Sequence, residues 1–262
     1  MPHISFSELK AWNTCAHYHK LTYVDRFSLF KGNEFTAFGK AVHDACETGV
    51  NALKSDSTTP CLRTLFKENF LKHLQELKDE GVDLRKELVW SMKDQGAVLV
   101  EMAIPALEEY FEDFELVSAE ERLMEEIPEY EKKKYDFKGF VDLVVKTPNG
   151  KVHIIDWKTC GWGWDARKRS DPMITYQLTL YKHFYARKHN LDPRQIETHF
   201  ALLKRTANKD QVEFFRVTSG PKKTQNALNL LKKALYNIDS KTYLKNRLSC
   251  GTCEFFNTEH CK

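Results

Sequence analysis

The stretch from Lys138 to Thr159, KGFVDLVVKTPNGKVHIIDWKT, constrains this chain more than any other. Two apolar segments flank Pro148-Asn149-Gly150, so it predicts a β-hairpin. One carboxylate interrupts each strand, Asp142 in GFVDLVV and Asp156 in HIIDWKT. Side chains at i and i+2 share a strand face, so Asp156 and Lys158 project together while Trp157 points the other way. Pairing the strands brings Asp142 toward Asp156. Two carboxylates and a lysine on one face of an apolar hairpin are costly unless something pairs them. A divalent cation does so, and a hard cation prefers oxygen ligands. A plain Asp156–Lys158 ion pair is the structural alternative.

The chain of 262 residues is long enough for one large domain or a domain with a helical appendage. With 42% hydrophobic and 29% charged residues it has the composition of a soluble globular protein. No apolar run approaches the roughly 20 residues of a membrane helix. The opening MPHISFSELKAWNT lacks a basic segment followed by an apolar one, so a cytoplasmic, intracellular protein without membrane contact is expected. A net charge of +3 does not by itself argue for nucleic acid, although local basic patches suffice for a polyanion.

Taken in order, residues 4–23 read as a lead-in and a helix with Ser7 as N-cap. Leu9, Trp12 and Cys15 then share its apolar stripe. Residues 35–53 read as a second helix in which Gly39 and His43 share a face, the small Gly39 letting another element approach. Asp44 and Glu47 beside them read as a solvated face. A polar loop over 54–60 leads to amphipathic helices over 61–80 and 86–114, the latter interrupted or kinked near Pro105. Residues 114–127 predict the first strand of the sheet. Glu120 and Glu121 lie in it, read as solvated. A charged turn over 129–136 leads to the hairpin. The following loop, TCGWGWDARKRSDP, holds Trp162, Trp164 and the basic cluster Arg167, Lys168 and Arg169. Its tryptophans either stack on bases or anchor the loop, and its basic residues suit phosphates. A helix over 172–190 places Gln177 and Tyr181 on one face, at i and i+4. Strands over 196–204 and 212–218 and a basic helix over 221–238 complete the pattern.

Seven cysteines in a chain expected to be cytosolic point to metal or core roles rather than disulfides. Cys250, Cys253 and Cys261 fall within the last thirteen residues. Close spacing of this kind calls for a soft ion, with a fourth ligand from elsewhere. Zn2+ and a [4Fe-4S] cluster both fit, and spacing does not choose between them. Cys46, Cys61 and Cys160 read as ordinary cysteines.

Together, Gly139-Phe140-Val141-Asp142, Asp156-Trp157-Lys158 and Gln177-Leu178-Thr179-Leu180-Tyr181 resemble the second motif, the D-x-K and the Q-x-x-x-Y of the PD-(D/E)XK nuclease superfamily. The closer likeness is to its RecB/AddB-like branch, which includes CRISPR-associated RecB-like exonucleases. Gly39 and His43 match that family's G-x-x-x-H helix, and Ser5, Ser7, Leu9 and Cys15 its N-terminal pattern. The resemblance implies an α/β fold, restriction-endonuclease-like, with a mixed central sheet flanked by helices. Across residues 1–262 it implies a single nuclease domain: a helical part over 1–113, a catalytic core over 114–219, and a C-terminal helix and cysteine cluster over 220–262. It also implies a strand glutamate near the site, without saying whether Glu120 or Glu121 fills that place. Asp142, Asp156, His43 and the Trp157 carbonyl are expected to bind Mg2+ or Mn2+, with Lys158 orienting water or stabilising charge and Gln177 and Tyr181 bordering the site. Cys15 is expected to join Cys250, Cys253 and Cys261 around an iron-sulfur cluster that ties the two ends together. The seven-residue gap before Cys261 departs from relatives and leaves His260 as a substitute ligand. The implied function is a metal-dependent DNA exonuclease preferring single strands, with a helicase or recombination protein as partner. A structure-specific endonuclease, a catalytically silent nucleic-acid-binding module and a zinc-stapled interaction protein are the alternatives.

Overall fold

The computed structural model describes residues 2–55 and 60–262. The expected polar loop over 54–60 falls mostly on 56–59, outside the described residues. The hairpin forms as the sequence dictates. β3 (Asp136–Lys146) and β4 (Val152–Cys160) pair antiparallel, with Leu143 opposite Ile155 and Lys146 opposite Val152. Their β-branched runs suit a buried pleated surface. The turn closes through Gly150 N–H to Thr147 O at 2.9 Å, and Gly150 has φ +80°, which favours glycine.

The sheet runs β1–β3–β4–β5–β6, with β2 on the other edge of β3. β1 (His3–Ser5) runs parallel to the start of β3, and β2 (Glu115–Glu126) runs antiparallel to it. β5 (Ile196–Lys204) is parallel to β4, and β6 (Val212–Val217) antiparallel to β5. The sheet is therefore mixed. Its first strand is β1, not the segment over 114–127. Three residues within the predicted lead-in are long enough to pair with Asp136–Lys138, and so short a strand carries no alternation to read.

One edge of β3 has two different neighbours. β1 covers Asp136–Lys138 and β4 covers Leu143–Lys146. Between them Gly139–Asp142 faces neither strand, and this gap is where the polar residues gather.

Helices cover both faces. On one side α1 (Phe6–Thr14), α7 (Pro172–Lys188) and α8 (Pro221–Asp239) bury Leu9, Phe184, Leu231 and Leu235 against Phe137, Ile154 and Phe200. On the other, α3 (Glu34–Ser55), α4 (Leu62–Asp79) and α5 (Lys86–Phe111) pack Phe38, Phe66, Phe70 and Leu99 against Leu143, Ile155 and Trp157. α5 runs on through Pro105 as one helix, without an interruption there. Trp157 is 2% exposed, on the face opposite Asp156 and Lys158 as the alternation requires.

The N-terminal helix differs from expectation. Ser5, with extended φ and ψ, is the N-cap of α1 and accepts from Glu8 N–H; Ser7 lies inside the helix. The helix stops at Cys15, whose φ of −164° and ψ of 117° break it before α2 (Ala16–His19) and a π-helical turn, Lys20–Val24. Cys15 is thus at a break, not on an apolar stripe. Its Sγ accepts from Asn246 N–H at 3.3 Å, and Asn246 Nδ2 donates to Thr14 O at 2.8 Å. Chain ends 231 residues apart therefore meet at this break. No described helix is long and apolar enough to cross a membrane.

Candidate metal centre

Asp142 is the last β3 residue before pairing with β4 begins. Its Oδ2 accepts the Trp157 backbone N–H at 2.8 Å, so a side chain replaces the ladder bond. His43, from α3, brings Nδ1 to 3.6 Å from the same oxygen. Asp156 stands across the gap. Its Oδ1 accepts from Gln177 Nε2 at 2.8 Å, and its Oδ2 touches the Lys158 ammonium, the ion pair the i, i+2 spacing predicts. That Oδ2 is buried and has no aligned hydrogen-bond donor among the described residues. Gln177 Nε2 lies 3.2 Å from Tyr181 Oη, so the α7 pair acts on Asp156 as a unit.

Tyr181 explains the glycine of G-x-x-D. A Cβ on Gly139 would sit 2.7 Å from Tyr181 Cε1, closer than real Cβ contacts allow. Gly39 carries no such constraint, because a Cβ there would meet only Thr159 Oγ1 at 3.5 Å, an ordinary contact.

The electrostatics follow from crowding. Burial pushes the Asp142 carboxyl well above the usual carboxylate range, and the Asp156 charge adds to the push. Burial opposes the Lys158 charge, yet Asp156 and Asp142 outweigh it and hold Lys158 above the ordinary lysine value. Burial lowers the His43 pKa, with Lys158 contributing, against the pull of Asp156 and the Trp157 backbone. His43 therefore offers a neutral imidazole at neutral pH.

Glu120, expected with Glu121 on a solvated face, lies beside the site instead. Ala119 and Glu121 pair with Leu143 and Val141, so Glu120 lies level with Asp142. One ligand atom from each of His43, Glu120 and Asp142 lies within 4.8 Å of the others. Glu120 has φ +49°, a left-handed conformation costing on the order of 1–3 kcal/mol for a non-glycine residue. Burial and the Glu47, Asp156 and Asp44 charges raise its pKa. Glu47 and Asp44 thus contribute to the field at the site. Glu121 points elsewhere, to Lys188 at 2.7 Å and His189 at 2.6 Å. Choosing between adjacent glutamates needs the β2–β3 register, which the sequence does not print.

The loop after β4, which carries the short helix α6 (Ala166–Ser170), divides its tryptophans. Trp164 is buried against Phe200 and Phe215 as an anchor, whereas Trp162 is 79% exposed. Arg169 bonds Glu213 at 2.6 Å and Trp164 O at 2.8 Å, so that member of the basic cluster is engaged internally. On the other flank a groove lined by His3, Ser7, Lys138, Phe140 and Tyr181 runs into Asp142.

Cys15, Cys250, Cys253 and Cys261 all line one small cavity of about 20 Å³ where the chain ends meet. His260 is not among its lining residues; its ring stacks on Phe27 instead.

Residues 3–258 match the family model of the PD-(D/E)XK nuclease superfamily. The fold is similar to the crystal structure of a Eubacterium rectale protein provisionally called an exonuclease: TM-score 0.57 and 13% identity, covering 96% of this chain and 86% of that one. The SSO0001 crystal structure overlaps 84% of this chain and 92% of its own at 13% identity, with a TM-score of 0.38 that carries no weight here. No curated protein matches the chain by sequence.

Proposed function

The chain belongs to the PD-(D/E)XK nuclease superfamily, and from that premise we propose that it hydrolyses DNA phosphodiester bonds with Mg2+ or Mn2+ at the β3–β4 gap. The convergence of Asp142, Asp156, His43, Glu120 and Lys158 on that gap carries the reading. The donor set fits a hard cation: one ligand atom from each of His43, Glu120 and Asp142 lies within 4.8 Å of the others, and the Asp156 carboxylate stands across the gap outside that group. Asp142, Asp156, Glu120 and His43, with the Trp157 carbonyl, would hold the ion. When bound, it supplies Lewis-acid activation of the scissile phosphate and lowers the pKa of coordinated water.

The chain's own groups divide the remaining work. Lys158, kept charged by two carboxylates, orients water and stabilises negative charge developing on phosphate. The same shift argues against Lys158 as the general base, which must first lose a proton. Gln177 and Tyr181 position Asp156.

An exonuclease acting on single strands is the finer reading. Lys138, Phe140 and Asp142 are spaced i, i+2, i+4 along β3, about 6.6 Å per step on one face. Phe140 is 44% exposed beside an ammonium, which suits an unstacked base and its phosphate. A cleavage assay on linear and circular single-stranded DNA, with Mg2+ and then Mn2+, tests this against Asp156→Ala. Degradation of linear DNA only, absent in the variant, is expected. Cutting of circles makes it an endonuclease, and binding without cutting makes it a silent module.

We further assign Cys15, Cys250, Cys253 and Cys261 to an iron-sulfur cluster. Their shared place around one cavity, where the two ends of the chain meet, supports it. The cluster would hold the chain ends together and contribute to folding. A cytoplasmic protein of one nuclease domain, working beside a helicase or recombination protein, completes the proposal.

A further inference from the structure

We propose that His153, Glu197 and His199 form a second cation site, for a borderline transition-metal ion such as Zn2+, at the start of β4 and β5 on the sheet face opposite Asp156 and Lys158. The two strands run parallel, with His153 opposite Glu197 and Ile155 opposite His199. His153 and His199 are therefore diagonal neighbours across the strand pair. His153 Nδ1 lies 3.1 Å from His199 Nε2, and Glu197 Oε2 lies 3.9 Å from His153 Nδ1. One ligand atom from each of the three lies within 4.8 Å of the others. Two nitrogens bound tetrahedrally to one zinc at 2.0–2.1 Å are about 3.3 Å apart, so the two rings stand close to a chelating separation.

The groups behind the three side chains fix their orientation. Thr147 Oγ1 lies 3.0 Å from His153 Nε2, and Tyr110 Oη 3.3 Å from His199 Nδ1. A hydroxyl accepting the outward ring N–H leaves the inward nitrogen with its lone pair free, the second-shell arrangement of ligating histidines. Arg216 Nη1 sits 3.3 Å from Glu197 Oε1, the oxygen turned away from the rings. Both imidazoles are buried and Glu197 is only half-buried, which leaves a way in past the carboxylate. Two imidazoles with one carboxylate suit zinc better than magnesium and leave a position for water. An ion here would clamp β4 to β5 on the face opposite Asp156 and Lys158. The competing arrangement is a plain ring-to-ring hydrogen bond with no ion.

Zinc bound after exhaustive dialysis, measured by elemental analysis on the full chain, tests the site. His199→Phe keeps an aromatic in an aromatic surround and should bind one equivalent fewer than wild type, whereas Asp142→Ala should keep that equivalent. Metal at the cysteines is common to all three and cancels. Glu197→Gln, at a half-buried position, should weaken zinc binding about tenfold or more and shrink the zinc-induced rise in melting temperature. If His199→Phe fails to fold, Glu197→Gln decides alone. Equal zinc content and an equal thermal response in wild type and Glu197→Gln overturn the proposal and leave a structural histidine pair.

Discussion

Gln177 Nε2 donates to Asp156 Oδ1 at 2.8 Å, reaching from helix α7 to strand β4, while Lys158 engages the other oxygen of the same carboxylate. The carboxylate is thereby held from both sides before anything binds. Removing the amide frees its rotation without removing a charge. Gln177→Ala is expected to slow single-turnover DNA cleavage about 10–100-fold with an unchanged melting temperature, whereas Asp156→Ala and Lys158→Ala abolish cleavage in a folded protein. Wild-type rates in either of the last two sink the site assignment.

Asp142 illustrates a cost of the site. Its folded-state pKa is raised by burial and by Asp156. A raised carboxyl contributes stability that is present below the unfolded value of about 3.9 and lost as pH climbs through the folded value. At neutral pH the metal-free protein has lost that contribution. Asp142→Asn stays neutral and still offers an oxygen to Trp157 N–H. It should melt about 2–4 °C higher than wild type at pH 7.5 without metal, the scale of about 1 kcal/mol in a domain this size. The gap should close toward pH 4, and thermal scans across that range check it.

Glu120 stores backbone strain at φ +49°. Glu120→Gly removes both the strain and the carboxylate. Mn2+ affinity, followed by titration calorimetry, should fall about tenfold, while stability without metal holds or rises. A clear loss of stability with unchanged Mn2+ affinity would return Glu120 to a solvated strand face.

At Gly139 the chain admits only hydrogen. Gly139→Ala drives a methyl group to 2.7 Å from the Tyr181 ring. Overpacking of this kind costs about 1–3 kcal/mol, and the displaced Tyr181 should take Gln177 and cleavage with it. Adding Tyr181→Ala should recover most of the stability but not the activity. Additive destabilisation in the double variant would show that the clash is not the cause.

Purified without oxygen, the protein should be brown, with broad visible absorbance. Cys250→Ser and Cys15→Ser should lose both colour and thermal stability. A colourless protein with stoichiometric zinc at the cysteines would replace the iron-sulfur assignment with a zinc one.

The hairpin, the shared projection of Asp156 and Lys158, and the i, i+4 pairing of Gln177 with Tyr181 are legible in the residue order alone, because these depend only on strand and helix periods. The same alternation turns Trp157 to the opposite face; that this face is core follows from the packing of α3, α4 and α5 on it. Which of Glu120 and Glu121 lies level with Asp142 depends on the β2–β3 register, a relation between segments that local patterning does not encode. The same holds for the gap at Gly139–Asp142, which exists because β1 and β4 share one edge of β3, and for Gly139, whose glycine answers to a tyrosine 42 residues later. His153 and His199 carry no local signal at all. They meet because two parallel strands align them, and long-range strand pairing is the part of a fold that a single chain read in order does not disclose.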